Sequence, residues 1–474
     1  MRPVLNLKLE KDVKAMRGIA EAAFEMVREY KGSHSGEHGD GIVRSEFHGK
    51  MFGQRILRAF EEVKQIFDPE TRLNPGKIVH APKMDDRNLL RYPPDYNFAD
   101  LKTGHDWSDW TGAGGGFQGA VEMCNNNGAC RKQAGGAMCP SYRVTRDERD
   151  VTRGRANTLR LALSGKLGQN ALFSDEMAET MKLCVGCKAC KRECPTGVDM
   201  AKMKTEVLYQ RGQKLGYGRR ERLIAEMPRY ARIAVALRGL ITLRNKVPAL
   251  AAIGERLLGL ARQRSLPGFR SDFFRDTEVA KADGARTGNK VVLFTDTFNR
   301  WMEPEIPRAA LNVLLRAGYD VTTAGAPGRP LCCGRTYLAA GMIDRARQEA
   351  RRTLEAQMPH IRAGTPIVGL EPSCLLTLRD EFLTLLPGDD ARALSENAML
   401  FEEFIAREAE AGRLDLPMEN LGASAHVHGH CHQKSAGVMP DMNRSLGLVP
   451  GLDAKTIESG CCGMAGAFGY GAET

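Results

Sequence analysis

The 474-residue chain contains thirteen cysteines, and the first of them is Cys124. Cys184, Cys187, Cys190 and Cys194 follow the pattern C-x2-C-x2-C-x3-C, and Pro195 closes it. Steps this short wrap three thiolates around one face of an iron–sulfur cubane, while the last Cys, before Pro, turns away to serve a second cluster. The register therefore predicts a 4Fe–4S cluster in preference to zinc. An exchanged ligand should come from another Cys-Pro pair, and Cys139-Pro140 supplies one. The first predicted cluster is thus held by Cys184, Cys187, Cys190 and Cys139. A second would take Cys124, Cys130 and Cys194, one cysteine short of a full set. Lys182, Lys188, Lys191 and Arg192 surround the motif and are expected to offset the negative charge of a cluster.

The remaining six cysteines form two further sites. LCCGR (331–335) recurs as GCCGM (460–464), and glycine after paired thiols allows a tight backbone turn. The first site offers Cys332, Cys333 and Cys374; the second offers Cys431, Cys461 and Cys462. Either could hold an iron–sulfur cluster or zinc, or act as a redox dithiol. Four of the ten histidines crowd into AHVHGHCHQK: His426, His428, His430 and His432. Strand alternation predicts all four on one face. His430 and His432, which flank Cys431, are candidates for a functional role, with a packed or solvent-lined strand as the equal rival.

These residues need elements to hold them. Val13, Met16, Ala20, Ala23 and Val27 predict an amphipathic helix over 13–30, and Ile56, Leu57, Phe60, Val63 and Phe67 predict a second over 53–67. Turn residues in FDPETRLNPGK (67–77) should stop it. Residues 85–119 read as a linker, with Pro93-Pro94 and GAGGGFQG, and no P-loop follows those glycines. Helical segments carry the cysteines of 120–225. Residues 226–270 are helical and basic, and they suit either a membrane-surface helix pair or packing on the next domain, the simpler expectation. From 290 onward, KVVLFTD (290–296), YDVTTAG (319–325) and PIVGLEP (366–372) alternate with helical stretches, which predicts an α/β unit with a mainly parallel sheet. The paired Cys-Cys-Gly motifs, with GLEPSC (369–374) matched to HVHGHC (426–431), predict two copies of it.

Composition narrows the class. Lys+Arg 68 against Asp+Glu 58 gives a net charge of +10, but the signs are interspersed and no basic tail indicates nucleic acid. Apolar residues at 42% indicate a folded globular chain. The start MRPVLNLKLEKD has no apolar signal region, and no apolar run approaches a membrane span. The expectation is a cytoplasmic protein whose thiols serve metals or redox chemistry.

At GEHGDG (36–41) and LNPGK (73–77) the chain resembles the C-terminal part of FAD-linked oxidases of the vanillyl-alcohol oxidase type, which include D-lactate, glycolate and D-2-hydroxyglutarate dehydrogenases. CNNNGACRK, MCPSYRVT and TRGRAN resemble the iron–sulfur extension fused to such enzymes. The remainder is similar to the Cys-Cys-Gly domain of glycolate oxidase iron–sulfur subunits and heterodisulfide reductase subunits.

This resemblance implies a multidomain α+β and α/β fold. A FAD-linked oxidase C-terminal remnant would occupy 1–84 and a linker 85–119. An α-helical ferredoxin-like domain would occupy 120–225 and a basic amphipathic helical connector 226–285. A duplicated α/β Cys-Cys-Gly domain would fill 286–474. The resemblance also implies Glu37 as a catalytic-site metal ligand for a divalent ion. His38 beside it would be the base that takes the substrate hydroxyl proton while hydride passes to FAD.

Three departures shape the expectation. The FAD-binding domain of the family would precede Met1. The first Cys-Cys-Gly unit lacks an early Cys near Thr295–Thr297 and has Glu371 where a first Cys would stand. The family also continues beyond Thr474. The expectation is therefore a large C-terminal fragment, or one subunit of a split enzyme. It would relay electrons from the flavin of a D-2-hydroxyacid dehydrogenase to a quinone or an electron carrier, with peripheral contact at the cytoplasmic face of the inner membrane allowed by the basic stretch. The rivals are a stand-alone electron-transfer subunit docking a separate FAD protein and a zinc-stabilised scaffold.

Overall fold

The computed structural model describes residues 3–35, 39–110, 115–281 and 288–473. They fall into two compact units that divide between Phe98 and Ala99.

The first unit is built on helices Glu10–Glu29 and Gln54–Phe67, joined by short helical turns. Val13 and Phe24 are the buried residues of the first helix, and Phe24 stacks on Phe47 at 5.2 Å between ring centroids. Gly53, at φ +77°, separates helix His48–Phe52 from the long helix that follows. Asp68 ends that helix by accepting the N–H groups of Arg72 and Leu73, both at 2.8 Å. The apolar stripe predicted for 53–67 is present, yet the helix buries none of its residues, and Val63 and Phe67 are exposed.

The stretch read as a linker, 85–119, divides between the units: residues 85–98 belong to the first, where Asp85 pairs with Arg17, and the rest is anchored in the second. The buried carboxylate of Glu206 accepts the N–H groups of Gly104 (2.9 Å) and His105 (3.0 Å) and the indole N–H of Trp107 (3.2 Å). Gly104 sits so close to Tyr209 and Ile343 that a Cβ would meet the latter at 2.6 Å. Part of the glycine run, 111–114, lies outside the described residues. Helices Thr152–Leu163, Asp175–Lys182 and Met200–Leu215 then enclose a core containing Leu159, Met177, Met181, Met203 and Val207.

Residues 226–270 form three short helices, Met227–Ala236, Arg238–Lys246 and Pro248–Leu258. One face packs Ala231 and Ala234 against Trp301 and Phe269. The other leaves Ile233, Leu237, Leu240 and Leu257 exposed.

The α/β part contains a parallel sheet of strands β1 (Lys290–Phe294), β2 (Asp320–Thr322), β3 (Ile367–Gly369) and β4 (Ala398–Leu400), in the order β2-β1-β3-β4. Both faces of β1 are buried, as a parallel strand covered by helices requires. Val291 and Leu293 meet helix Glu305–Arg316 through Leu311 and Leu314. Val292 and Phe294 face the other way, toward Ile343, Ala346 and Ala350 of helix Ile343–Arg362. The three strands expected from sequence are there, each shorter than the stretch predicted for it. Strands β5 (Ala423–Val427) and β6 (Leu452–Thr456) form a separate parallel pair.

The histidine alternation is corrected. Strand β5 ends at Val427, so only His426 lies on it. His430 caps helix Cys431–Ala436, its side chain accepting the His432 N–H, and His432 lies buried inside that helix. The chain leaves the strand after Val427 and enters the helix at the His430 cap.

Candidate iron–sulfur centre

Ser174 caps helix Asp175–Lys182 by accepting the Met177 N–H (3.2 Å), and the chain then enters the cysteine loop. Gly186 (φ 64°) and Lys188 (φ 61°) both adopt left-handed backbone there, which folds the loop tightly before helix Ala189–Glu193. Glu193 reaches back to accept the N–H groups of Ala137 (2.7 Å) and Met138 (3.2 Å). That clamp brings Cys139, which begins helix Pro140–Thr145, to the loop. Gly136 is required at the clamp, because a Cβ would meet Glu193 Oε2 at 2.4 Å. The outcome is one cavity bordered by Cys139, Cys184, Cys187 and Cys190.

These thiols are reluctant to ionise unaided. Burial, with Cys184, Cys139 and Cys461 nearby, pushes Cys187 up to about 12. Burial and Asp199 push Cys190 well above the ordinary thiol range. A coordinating metal reverses that preference, since it deprotonates a thiol outright.

Lys188, one of the lysines expected to offset cluster charge, lines that cavity, and all three lysines also form ion pairs. Lys188 pairs with Asp380 (2.8 Å) and Glu381 (2.6 Å), Lys191 with Asp380 (2.6 Å), and Lys182 with Glu179 (3.3 Å). Further buried positive charge comes from residues that spacing did not mark. Arg155 is fully buried and donates to Thr180 O (2.9 Å), Asp150 O (2.8 Å) and Ser141 Oγ (3.2 Å), with Nη1 3.9 Å from Cys139 Sγ. Lys204 Nζ donates to Cys184 O (2.5 Å). Arg155 belongs to TRGRAN, so its motif was visible although its role was not. Four thiols on one cavity, beside a buried guanidinium, fit a negatively charged 4Fe–4S cluster.

Of the second set, Cys124 and Cys130 are buried in the same core. Burial raises Cys130, with Cys139 and Cys124 in electrostatic reach. Cys194 lies at the end of helix Ala189–Glu193, with Sγ 3.4 Å from Thr196 Oγ1.

The two Cys-Cys-Gly sites differ. Cys332, Cys333 and Cys374 are all buried and all pushed well above the thiol range; Cys332 and Cys374 also interact with Cys333. Gly334 (φ 78°) donates its N–H to Cys332 Sγ (3.4 Å), and a Cβ there would meet Ala346 O at 3.2 Å. Thr297, where an early Cys is missing, contacts Cys332. Glu371 is a helix cap, accepting the Cys374 N–H (2.6 Å) and the Ser373 hydroxyl (2.7 Å). The other site is open. Cys462 is exposed, and Cys461 is lowered to about 6, chiefly by a hydrogen bond from Cys431. Cys187 lies in electrostatic reach of both Cys431 and Cys461. The cysteine loop and this site therefore meet.

Glu37 and His38 lie outside the described residues.

Residues 1–78 match the C-terminal domain of FAD linked oxidases, and residues 120–198 match the 4Fe-4S dicluster domain. The chain joins a FAD-linked oxidase C-terminal domain to a 4Fe–4S dicluster domain. D-2-hydroxyglutarate dehydrogenase of Escherichia coli (strain K12) is 24% identical across 100% of this chain and 49% of its own length. The glycolate oxidase iron-sulfur subunit of the same organism is 24% identical over 73% of this chain and 80% of its own. One of the subunits of anaerobic glycerol-3-phosphate dehydrogenase, also from that strain, is 26% identical over 46% of this chain and 54% of its own. The chain spans about half the length of the D-2-hydroxyglutarate dehydrogenases it matches. No solved structure matches.

Proposed function

We propose that this chain is the iron–sulfur electron-transfer portion of a FAD-dependent D-2-hydroxyacid dehydrogenase, acting on a lactate-, glycolate- or 2-hydroxyglutarate-like substrate. The observation that carries the reading is the single cavity bordered by Cys139, Cys184, Cys187 and Cys190 within the matched dicluster domain. A cubane passes one electron at a time, whereas flavin accepts two. Cys139, Cys184, Cys187 and Cys190 hold the first cluster, and Cys124, Cys130 and Cys194 the second. Arg155 balances the charge at Cys139 and keeps water out of that wall. Cys187, facing Cys431 and Cys461, gives an exit toward the Cys-Cys-Gly domain, whose metal sites are Cys332, Cys333 and Cys374 and Cys431, Cys461 and Cys462.

That domain is a duplication in this reading. The parallel pairs β1–β2 and β5–β6 support it: Lys290 pairs with Asp320 and Ala423 with Leu452, at near-equal intervals, and a Cys-Cys-Gly follows each pair. With the helix caps that follow β1 and β5, Asp296 and His430, aligned, Cys431 stands opposite Thr297, not opposite Cys374.

Substrate chemistry belongs to the first unit, with His38 as base and Glu37 as metal ligand, completed by a flavin domain or subunit. The exposed apolar stripe of helix Gln54–Phe67 is a surface such a partner would cover. The acceptor is a quinone or an electron carrier on the cytoplasmic side. Exposed Ile233, Leu237 and Leu240 beside Arg232 and Arg238 support peripheral membrane contact, and no helix among the described residues is long and apolar enough to cross a membrane. A second reading, a separate electron-transfer subunit docking a FAD protein, is favoured by two relatives that are named as subunits.

The test is metal, sulfide and flavin content on anaerobically purified protein, with electron paramagnetic resonance after dithionite. About four to eight irons with matching sulfide and a reduced-cluster signal are expected. Zinc without iron would overturn the relay.

A further inference from the structure

We propose that His34, Asp40 and His48 form a divalent-metal site of the two-histidine, one-carboxylate kind in the first unit. The sequence motifs marked Glu37 for a metal and none of these three.

One ligand atom from each residue lies within 4.8 Å of the others. The histidine rings are walled by aromatic side chains: Phe24 meets His34 edge-on at 5.1 Å, and Phe52 lies 5.4 Å from His48. The His34 side chain is 6% exposed, and neither ring nitrogen has a hydrogen-bond partner among the described residues. A buried polar group left unmatched costs about 1–3 kcal/mol. His34 Nε2 nevertheless faces Asp40 Oδ1 at 3.5 Å, and that oxygen has no hydrogen-bond partner among the described residues either.

Asp40 Oδ2 lies 2.9 Å from His48 Nε2, and His48 Nδ1 lies 3.0 Å from Ile78 O. A carbonyl oxygen only accepts, so Nδ1 carries a proton. In a neutral ring Nε2 then presents a lone pair, and it faces a carboxylate oxygen that also has only lone pairs. Two acceptors this close need a positive centre between or beside them. A second proton on His48 would satisfy this pair but would leave His34 unmatched. A metal ion satisfies all three side chains together. The spacings suit it, because ligands about 2.0 Å from a tetrahedral ion stand roughly 3.3 Å apart.

The support is also built. A metal-binding imidazole usually donates its other N–H to a carbonyl or carboxylate, as His48 does to Ile78. Ile78 holds φ at 69°, a region β-branched residues rarely adopt, and Ser45 Oγ accepts its N–H (3.1 Å). Two imidazoles and one carboxylate select Zn2+, Fe2+, Co2+ or Ni2+ over Mg2+ and Ca2+, and three protein ligands leave a coordination position open. His34 and Asp40 flank residues 36–38 in sequence, so an ion would hold both ends of the segment that carries Glu37 and His38.

The test uses the full-length protein with its iron content measured first, so that failure here is separate from failure of the electron relay. Wild type, His34→Leu and Asp40→Asn are equilibrated with Co2+ and desalted. Wild type should retain about one more Co2+ per chain than either variant. The extra ion should add visible absorption of nitrogen and oxygen ligation without raising the near-ultraviolet thiolate band. Zn2+ should raise the thermal midpoint of wild type and leave both variants unmoved. Equal Co2+ in all three proteins, with equal response to Zn2+, would overturn the site. So would a His34→Leu protein that outlasts Zn2+-loaded wild type on heating, since His34 would then be only an unmatched core residue.

Discussion

His432 Nε2 lies 3.1 Å from the carbonyl oxygen of Gly186. That hydrogen bond ties the cysteine loop of the dicluster domain to the helix that begins with Cys431. Burial and Arg335 hold His432 well below the ordinary imidazole range, so the ring is neutral and donates a single N–H to Gly186. His432→Ala should cost about 1 kcal/mol and speed amide exchange at 185–188 and 431–434 together. His432→Gln, which retains a donor, should lose less. Unchanged exchange in the alanine variant would mean that the bond does not couple the two segments.

Arg155 has no exposed surface, and its guanidinium serves Thr180, Asp150 and Ser141 at once. Removing it strands several buried acceptors and a carboxylate in Asp150. Arg155→Met should destabilise the protein by roughly 2–4 kcal/mol in urea unfolding and lower the iron retained per chain. Arg155→Lys should recover only part, because one ammonium cannot reproduce a planar fork. Full iron retention in both variants would remove Arg155 from the cluster environment.

Cys139 lies outside the C-x2-C-x2-C run, yet it borders the same cavity as Cys187. Cys139→Ser and Cys187→Ser should therefore each cost about four irons, and Cys374→Ser should leave the reduced-cluster signal intact. If Cys194→Ser instead removed the same signal as Cys187→Ser while Cys139→Ser spared it, the ligand exchange would run the other way.

The contrast between Cys184 and Arg155 shows what was legible in the sequence. A cluster loop is local, so thiol spacing alone brings Cys184, Cys187 and Cys190 together, and Cys139 is found through its Pro. Strands β1 and β3 were equally readable, because a strand buried on both faces is a continuous apolar run, whereas β2 is an edge strand with only Val321 buried. Arg155 was not, since its value depends on Thr180, Asp150 and Ser141 converging from other segments. The histidine alternation misled because period two was carried past Val427, where the chain leaves the strand. Spacing placed Lys188 beside the cysteines, where it lines the cavity, but could not show that Asp380, far along the chain, pairs with it and with Lys191.

Glu408 supplies one acid-sensitive contact. Arg413 (2.8 Å), Tyr319 (2.9 Å) and Arg407 (3.0 Å) all donate to it and hold it down to about 2 against an ordinary 4.5. A depressed carboxylate stabilises the fold above its unfolded value, and the contribution drains as pH falls from about 4.5 toward 2. Glu408→Gln should therefore cost roughly 2–4 kcal/mol at pH 7 and progressively less in acid. A penalty independent of pH over that window would show that packing, and not charge, sets it.

His105 acts in a different window. Burial, with Lys202 and Arg347 adding repulsion, lowers it to about 3 from an ordinary 6.5. Its Nδ1 sits 3.1 Å from Thr384 Oγ1, so this neutral ring packs where a cation is unwelcome. Above pH 6.5 the folded and unfolded chains both carry the neutral form, and His105 contributes no pH dependence. Below it the unfolded chain binds a proton that the folded chain refuses, so stability falls as pH drops. The slope is about 1.4 kcal/mol per pH unit and flattens near pH 3. His105→Gln keeps the polar contact and removes the titration. The gap between wild type and variant in urea midpoints at pH 7.5, 6.0 and 5.0 should therefore shift steadily in favour of the variant. A constant gap would mean that His105 accepts its proton in the folded state, and that the wall formed by Glu206, Trp107 and Thr384 admits water.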